Sequence, residues 1–181
     1  MNFSRLILKV AVSSAAFFLN AEVPTVTYKS GWVDGADLNF DGRFEPKTLE
    51  TNQTLYPDLL VATGKGGRIE SIVNQKFWRL GSNSIARWYS DKKIWLDSGS
   101  ALYCSTHEDT IVFSSVGSSA TFTGKGTIII EATKNGGFKF IPLEGKGTVN
   151  TEEGGTKEVV GGRMLLVLGN PTYFGDAYDI D

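Results

Sequence analysis

Hydrophobic residues alternate with polar ones, or form short β-branched and aromatic runs, along most of the chain after its N-terminal segment. The runs recur at a pitch of roughly eight to twelve residues, which is typical of an all-β sandwich or barrel. Turn residues such as Gly, Asn and Ser separate them. The runs are RIESIV (68–73), ARWY (86–89), KIWLD (93–97), ALYCS (101–105), TIVFS (110–114), ATFT (120–123), TIIIEA (127–132), FKFIP (138–142), KEVV (157–160) and RMLLVL (163–168).

The pattern predicts an all-β fold in one domain, built as a two-sheet sandwich of jelly-roll type. A β-roll or β-solenoid is the alternative, because a Gly-Lys-Gly triplet occurs three times. Helical periodicity is nearly absent. The one candidate helix lies around residues 46–60, where Pro46 and Pro57 bracket it.

The Gly-Lys-Gly triplets raise the question of nucleotide binding, since a phosphate-binding loop is also rich in Gly and Lys. They lie at 64–66, 124–126 and 145–147. A Walker loop needs an earlier glycine, but Ser119 stands in its place, and Gly126 follows Lys125 where Ser or Thr is required. We therefore interpret all three triplets as tight turns, in which Gly supplies positive φ and Lys keeps a sheet edge charged.

Residues 1–21 resemble a signal peptide. Arg5 and Lys9 precede an apolar and small-residue run at 10–19, and Ala21 offers a small residue for cleavage. A membrane anchor is the alternative, but the uncharged run is about half of the roughly 20 residues that a span needs. The sequence thus predicts a folded domain at 22–181 that is periplasmic or secreted, without a stable membrane span after signal removal.

Composition and charge narrow the classes of partner. The chain has 181 residues, is 41% hydrophobic and carries a formal net charge of −2, which becomes −4 once Arg5 and Lys9 are removed. A mildly acidic domain does not attract nucleic acid. Cys104 is the only cysteine, so no internal disulfide can form and the core alone must hold the domain.

The stretch DLNFDGRFEPKT (37–48) resembles the first half of a calcium loop. Asp37, Asn39 and Asp41 supply oxygens at alternate positions, and Gly42 provides the bend. The last ligand position holds Thr48 instead of a bidentate Glu. The favoured alternative is a β-hairpin with Asp-Gly as its turn.

The stretch YCSTHEDT (103–110) contains the only Cys and the only His, Cys104 and His107, followed by two acidic residues. A zinc site needs more Cys or His ligands than the chain has, and no Ser stands in a G-x-S-x-G turn. We expect Cys104 to be a small buried residue and His107 to lie in a polar turn between two strands. The sequence predicts no catalytic residue, no metal site and no cofactor, and it leaves the binding residues unknown.

Tryptophans are the remaining candidates for recognition. Trp32, Trp78, Trp88 and Trp95 make up the set. Three of them fall within residues 77–95, where aromatic side chains on a sheet surface can stack on sugars or contact a protein. Core packing is the alternative for most of them. If Ile94 and Leu96 face inward, Trp95 faces outward.

Residues 59–149 resemble the periplasmic FecR-type domain. The resemblance rests on LVATGKGGRIESI, RLGSNSIARW, KIWLDSGSALYC and LEGKGTVN. The matching residues are Thr63, Gly64, Arg79, Leu80, Gly81, Ser84, Leu96 and Gly99. The resemblance implies an all-β, non-catalytic domain beyond a bacterial inner membrane. Members of the family relay a signal from an outer-membrane transporter to a sigma factor. About 20 residues precede Glu22 here, so we expect a stand-alone binding domain.

These observations predict an exported, non-catalytic FecR-like domain that binds an envelope protein or another ligand, with signal transduction as a related role. A carbohydrate-binding sandwich that uses exposed Trp, a secreted hydrolase and a purely structural envelope component are the alternatives. Sugar binding predicts that Trp78, Trp88 or Trp95 is exposed along a groove. Hydrolysis predicts His107 or a carboxylate pair in a concave pocket. Partner binding predicts an open sheet edge or a flat apolar patch.

Overall fold

The computed structural model describes residues 22–38, 43–57, 59–169 and 172–180, and within these ranges the fold is all-β. The predicted fold class is confirmed. The strands are β1 (Thr25–Ser30), β2 (Val33–Leu38), β3 (Phe44–Thr48), β4 (Leu59–Thr63), β5 (Arg68–Val73), β6 (Lys76–Leu80), β7 (Ile85–Ser90), β8 (Lys93–Ser98), β9 (Ser100–Ser114), β10 (Ser119–Ala132), β11 (Phe138–Thr151), β12 (Gly155–Val160), β13 (Arg163–Leu168), β14 (Tyr173–Phe174) and β15 (Tyr178–Asp179).

Hydrogen bonds join these strands into one open, mixed sheet. The sheet divides at β9, whose first part pairs with β6 and whose last part pairs in parallel with β8. The β6 half contains β1, β5, β6, β13 and β14, and the β8 half contains β2, β3, β4, β7, β8 and β12. All other described pairs are antiparallel, which argues against a solenoid of stacked parallel coils.

Strands β9, β10 and β11 run through both halves. They have 15, 14 and 14 residues, so each is more than twice the usual strand length. Runs that the sequence separates, such as 101–105 and 110–114, are therefore parts of one strand. The turn predicted at His107 is wrong, since residues 106–108 form an irregular stretch within β9, between the pairs Ser105–Gly126 and Asp109–Gly124.

The two halves face each other across one hydrophobic core. Trp78 of β6 meets Trp88 of β7 edge to face, with 6.2 Å between ring centroids, and lies 6.1 Å from Phe113. Phe113, in the last part of β9, meets Phe140 of β11 at 5.4 Å. Because these rings come from opposite halves, the continuous sheet is folded over into a sandwich-like arrangement.

Two of the three predicted Gly-Lys-Gly turns are wrong. Residues 124–126 and 145–147 lie inside β10 and β11, directly opposite each other. A Cβ at Gly145, where φ is 87°, would lie 2.2 Å from the Lys125 carbonyl oxygen. Glycine is required there because the two backbones approach closely where the long strands leave one half and enter the other. Only the triplet at 64–66 lies in a turn.

The helix expected around residues 46–60 does not form. Strand β3 occupies the start of this segment and contains Pro46. It pairs with β2 in the predicted hairpin, and Phe44 lies opposite Leu38. Pro46 is tolerated because β3 is an edge strand, with β2 as its only described partner. The predicted signal peptide, residues 1–21, and the hairpin turn with Asn39, Asp41 and Gly42 lie outside the described residues.

Candidate functional site

The residues that resemble FecR motifs meet where β4, β6 and β8 end. The Thr63 hydroxyl donates a hydrogen bond to the Gly81 carbonyl. It also accepts one from the Ser84 N–H, at 3.0 Å. The Ser84 hydroxyl accepts from the Ser100 N–H at 2.9 Å, and a Cβ at Gly99 would clash with that hydroxyl. These hydrogen bonds join the ends of β4 and β6 to the starts of β7 and β9, so the role of the motif here is structural.

The four tryptophans divide between the core and the surface. Trp78 and Trp88 are core residues, each 1% exposed. Trp95 is half-buried and points away from the core, as the buried positions of Ile94 and Leu96 predict. Burial therefore excludes Trp78 and Trp88 from a sugar-binding surface and leaves Trp95 as the one of the three that faces solvent. Trp32, by contrast, is 56% exposed.

A polar cleft of about 330 Å³ opens where β9 changes partners between β6 and β8. The β5–β6 turn, the β7–β8 turn and the irregular stretch of β9 form its walls. The lining residues are Asn74, Gln75, Lys76, Asp91, Lys92, Ser105, His107, Glu108 and Asp109. We call it the seam cleft.

Lys76 closes the bottom of the seam cleft. Its ammonium lies 2.9 Å from Asp91 Oδ2 and 2.8 Å from Asp109 Oδ2, and it also donates to the Asp91 carbonyl at 3.1 Å. The Lys76 side chain is only 6% exposed. All three ammonium protons therefore have acceptors, and the lysine pins both turns to β9.

Burial and hydrogen bonding shift the pKa of three groups here. Desolvation alone would lower the pKa of Lys76, but hydrogen bonds to Asp109 and Asp91 outweigh it and raise the pKa. Desolvation would raise the pKa of Asp109, yet the Lys76 and Thr110 donors hold it below its usual value. Burial raises the pKa of Tyr103, whose hydroxyl donates to Asp109 at 3.3 Å. A protonated, saturated lysine is neither a base nor a nucleophile.

The seam cleft does bring His107 close to carboxylates, as the hydrolase alternative expects. The Ser105 hydroxyl, however, donates to the His107 carbonyl at 2.8 Å instead of contacting the imidazole. The His107 ring contacts the Thr106 hydroxyl, with Nδ1 and Oγ1 2.9 Å apart. Thr106 and His107 are adjacent, exposed residues, and no carboxylate of the described residues hydrogen-bonds the imidazole to orient it as a base, so these contacts do not complete a catalytic triad.

Metal ligands are not brought together in the described part of the chain, where no group of three or more His, Cys, Asp or Glu side chains could hold an ion. Cys104, expected to be a small buried residue, is instead half-buried on the outer side of β9. Asp37 accepts from the Tyr56 hydroxyl and lies 3.5 Å from Lys47 Nζ. Asn39 and Asp41, the other residues of the calcium-loop alternative, lie outside the described residues.

The outer surface of the β6 half is unexpectedly apolar. Leu102, Ile129 and Ile141 lie directly opposite one another on β9, β10 and β11. Beside them, Ile72 lies opposite Phe77, and Phe77 lies opposite Cys104. The neighbours of each along its strand are buried, so these six side chains point away from the core. We call Ile72, Phe77, Leu102, Cys104, Ile129 and Ile141 the apolar face.

Sequence reasoning missed both the apolar face and Lys76. The run TIIIEA (127–132) does indicate an apolar outer surface. Three consecutive isoleucines cannot all face one side of a strand, so at least one of them must point away from the core. Lys76 has no local signal, since its partners Asp91 and Asp109 are distant in sequence and meet it only through the fold.

Comparison with known proteins gives a likeness of fold. No family model and no curated protein matches the chain. Two crystal structures of a candidate anti-sigma factor from Parabacteroides distasonis ATCC 8503 superpose on it with a TM-score of 0.53, at 10% and 9% sequence identity. The likeness covers 67% of this chain and 60% of theirs. No helix long and apolar enough to span a membrane occurs within the described ranges. The chain is thus similar in fold to these two structures.

Proposed function

We propose that the chain is an exported, non-catalytic, FecR-like domain that binds a protein partner in the cell envelope through the apolar face. Residues 1–21 act as the export signal in this proposal, and the domain works in the periplasm or outside the cell. The apolar face is the observation that carries the proposal. Soluble domains rarely leave a contiguous apolar patch uncovered unless it serves an interface.

The shape of the apolar face favours a protein over a small molecule. Small ligands need concave, mostly apolar pockets, whereas this surface is one side of a sheet and the seam cleft is polar. Ile72, at the margin of the face, is 47% exposed and offers an aliphatic contact. Aliphatic and aromatic residues at the centre of a flat patch are typical of protein interfaces.

The family resemblance and the fold comparison support the same class of function. FecR-type domains and the similar candidate anti-sigma factor belong to signalling systems, in which protein contacts carry the signal. The matched motif of Thr63, Gly81 and Ser84 supports the fold on which such a surface is presented. A relay role would follow if the partner is itself a membrane or signalling protein.

Site-specific photo-crosslinking tests the proposal in the native envelope. A photoreactive amino acid replaces Ile129 in the full chain, and a matched variant carries it at Thr121 on the outer surface of the other half. We expect a discrete protein adduct from position 129 that is absent from position 121. Both positions are half-buried residues of β10, so the photoreactive group has a similar exposure in the two variants.

The outcomes separate the occupants of the apolar face. An adduct of one heterologous protein, lost when Ile141→Lys is added, supports the proposal. An adduct at twice the mass of the chain shows self-association and contradicts it, as does labelling that is equal at both positions. Crosslinking to lipid alone also contradicts it.

A further inference from the structure

A second surface, at the corner between β1, β2 and β5, has different chemistry from the apolar face. Trp32 lies in the β1–β2 turn and is 56% exposed, and Tyr28 on β1 is 41% exposed. Lys65 and Arg68 flank them, in the β4–β5 turn and at the start of β5. We call these four residues the aromatic corner.

The fold holds Trp32 rigidly in its exposed position. Its carbonyl accepts from the Gly64 N–H at 3.0 Å, and its indole lies so close to Gly64 that a Cβ there would be 2.6 Å from Cε3. A Cβ at Gly67 would be 2.3 Å from the Trp32 carbonyl oxygen. One part of the ring system therefore rests on the backbone of the turn, and the rest is presented to solvent.

The turn beneath Trp32 is itself fixed by hydrogen bonds. The Gly67 N–H donates to the Gly64 carbonyl at 2.9 Å, and the Ser82 hydroxyl donates to the same carbonyl at 3.1 Å. The Gly66 N–H donates to the Ser82 hydroxyl at 2.8 Å. An exposed aromatic ring that is ordered before binding loses little conformational entropy when a ligand stacks on it.

The aromatic corner carries uncompensated positive charge. The Arg68 guanidinium lies 4.8 Å from the centroid of the Tyr28 ring. Arg68 shares its carboxylate partner, Glu70, with Arg79. Glu70 Oε1 lies 3.4 Å from Arg68 Nε and 2.9 Å from Arg79 Nη2. One carboxylate thus serves two guanidiniums. Lys65, exposed at the tip of the turn, forms no ion pair with any described residue.

We propose that the aromatic corner binds an acidic saccharide. The C–H face of a pyranose ring packs against the Trp32 indole, because the electron-rich ring face attracts the partly positive C–H hydrogens. Carboxylates of the saccharide accept hydrogen bonds from Arg68 and pair with Lys65. A neutral glycan makes only the stacking contact, so negative charge on the ligand decides the preference.

Isothermal titration calorimetry of the full chain with tetragalacturonate measures this binding, and it applies equally to variants that lack Trp32. The fully methyl-esterified tetramer is the matched neutral probe. We expect the acidic tetramer to bind about tenfold more tightly than the ester, because its carboxylates form charge-assisted hydrogen bonds. Its affinity should fall as the salt concentration rises, since salt screens these charges.

Three variants locate the site. Trp32→Ala is expected to abolish binding, and Lys65→Gln to lower affinity for the acidic tetramer several-fold without affecting the ester. Tyr173→Ala, an exposed aromatic on β14, is the control and leaves both affinities unchanged. Equal binding of the two tetramers, no binding of the acidic one, or Trp32→Ala that folds and binds like the parent would overturn the proposal. A melting temperature equal to that of the parent verifies that each variant folds.

Discussion

The two outer surfaces of the sheet differ although the same three strands supply much of both. On the β6 half, β9, β10 and β11 present Leu102, Ile129 and Ile141. On the β8 half, the same strands and β12 present mostly threonine and asparagine. We call that set the threonine face; its members are Thr110, Thr121, Thr123, Thr148, Asn150 and Thr156.

Strand propensity does not explain the difference. Ile and Thr are both β-branched and both favour strands, so threonine would serve the fold equally well at Ile129. Polar side chains of the threonine face hydrogen-bond one another in two places: the Thr110 and Thr123 hydroxyls are 3.1 Å apart, and Asn150 donates to Thr156 at 2.7 Å. The outer surface of the β8 half also carries Val112 and Val160, but the apolar face joins six apolar side chains into one patch, which is why we assign that face to binding.

The largest effect is expected from breaking the core that joins the two halves. Phe113→Ala removes the ring that contacts both Trp78 and Phe140, and it should lower the free energy of unfolding by about 3–5 kcal/mol. Because the core is continuous, urea unfolding followed by fluorescence and by circular dichroism should remain one transition. Two separate transitions would show that the faces belong to independent units.

The next effect concerns the seam, where β9 passes from one half to the other. Lys76→Met leaves Asp91 and Asp109 without their shared counter-ion in a largely buried place, and should cost about 3 kcal/mol in urea unfolding. Lys139→Met is the control, because its pair with Glu131 at 2.8 Å is solvent-exposed and should cost less than about 1 kcal/mol. Equal costs would contradict the structural role of Lys76.

The same cluster predicts how stability changes with pH. The pKa of Asp109 is lower in the folded chain than in the unfolded one, so its contribution is present above about pH 4 and is lost as pH falls through the folded pKa. Asp109→Asn should flatten the acid limb of a plot of melting temperature against pH. An acid limb as steep as that of the parent would show that other carboxylates dominate.

A smaller effect is expected at the bend that separates the two faces. Gly145 and Gly162 have similar φ values, 87° and 84°, but only a Cβ at Gly145 would meet neighbouring backbone. Gly162→Ala should therefore cost about 1 kcal/mol from backbone strain alone, and Gly145→Ala about 2–3 kcal/mol. Thermal or urea unfolding of the pair measures the difference. Equal losses would mean that the long strands bend without close contact.

The smallest effect on stability is expected at the faces themselves. Ile129→Thr and Thr121→Ile exchange the chemistry of the two surfaces on one strand, and each should change the free energy of unfolding by about 0.5 kcal/mol or less. Partner binding, measured by the crosslinking yield from position 141, should fall for the first variant and stay constant for the second. A large loss of stability in Ile129→Thr would mean that the apolar face is part of the core.

Much of the fold could be predicted from the sequence. The β-branched and aromatic runs identified most strands, and the parity of Ile94 and Leu96 placed Trp95 outward. The pairing of β2 with β3 followed from the Asp-Gly signal between Phe40 and Phe44. These features are local, since strand propensity and turn chemistry depend on residues close in the sequence.

Features that depend on distant residues could not be predicted. Gly-Lys-Gly looks the same in a turn at 64–66 and inside a strand at 124–126, and only the opposing strand decides which it is. Pro46 marked the end of a predicted helix, yet an edge strand tolerates it equally well. The Lys76 cluster and the two faces depend on strand order and register, which periodicity does not contain.

Cys104 has a practical consequence for experiments on this molecule. Its thiol lies within the apolar face, where the Thr127 hydroxyl donates to it at 3.4 Å, and the sequence has no other cysteine. A bound protein would shield this thiol, so its rate of alkylation reports directly on occupancy of the surface. The native chain therefore contains its own label for footprinting in living cells, without any engineered residue.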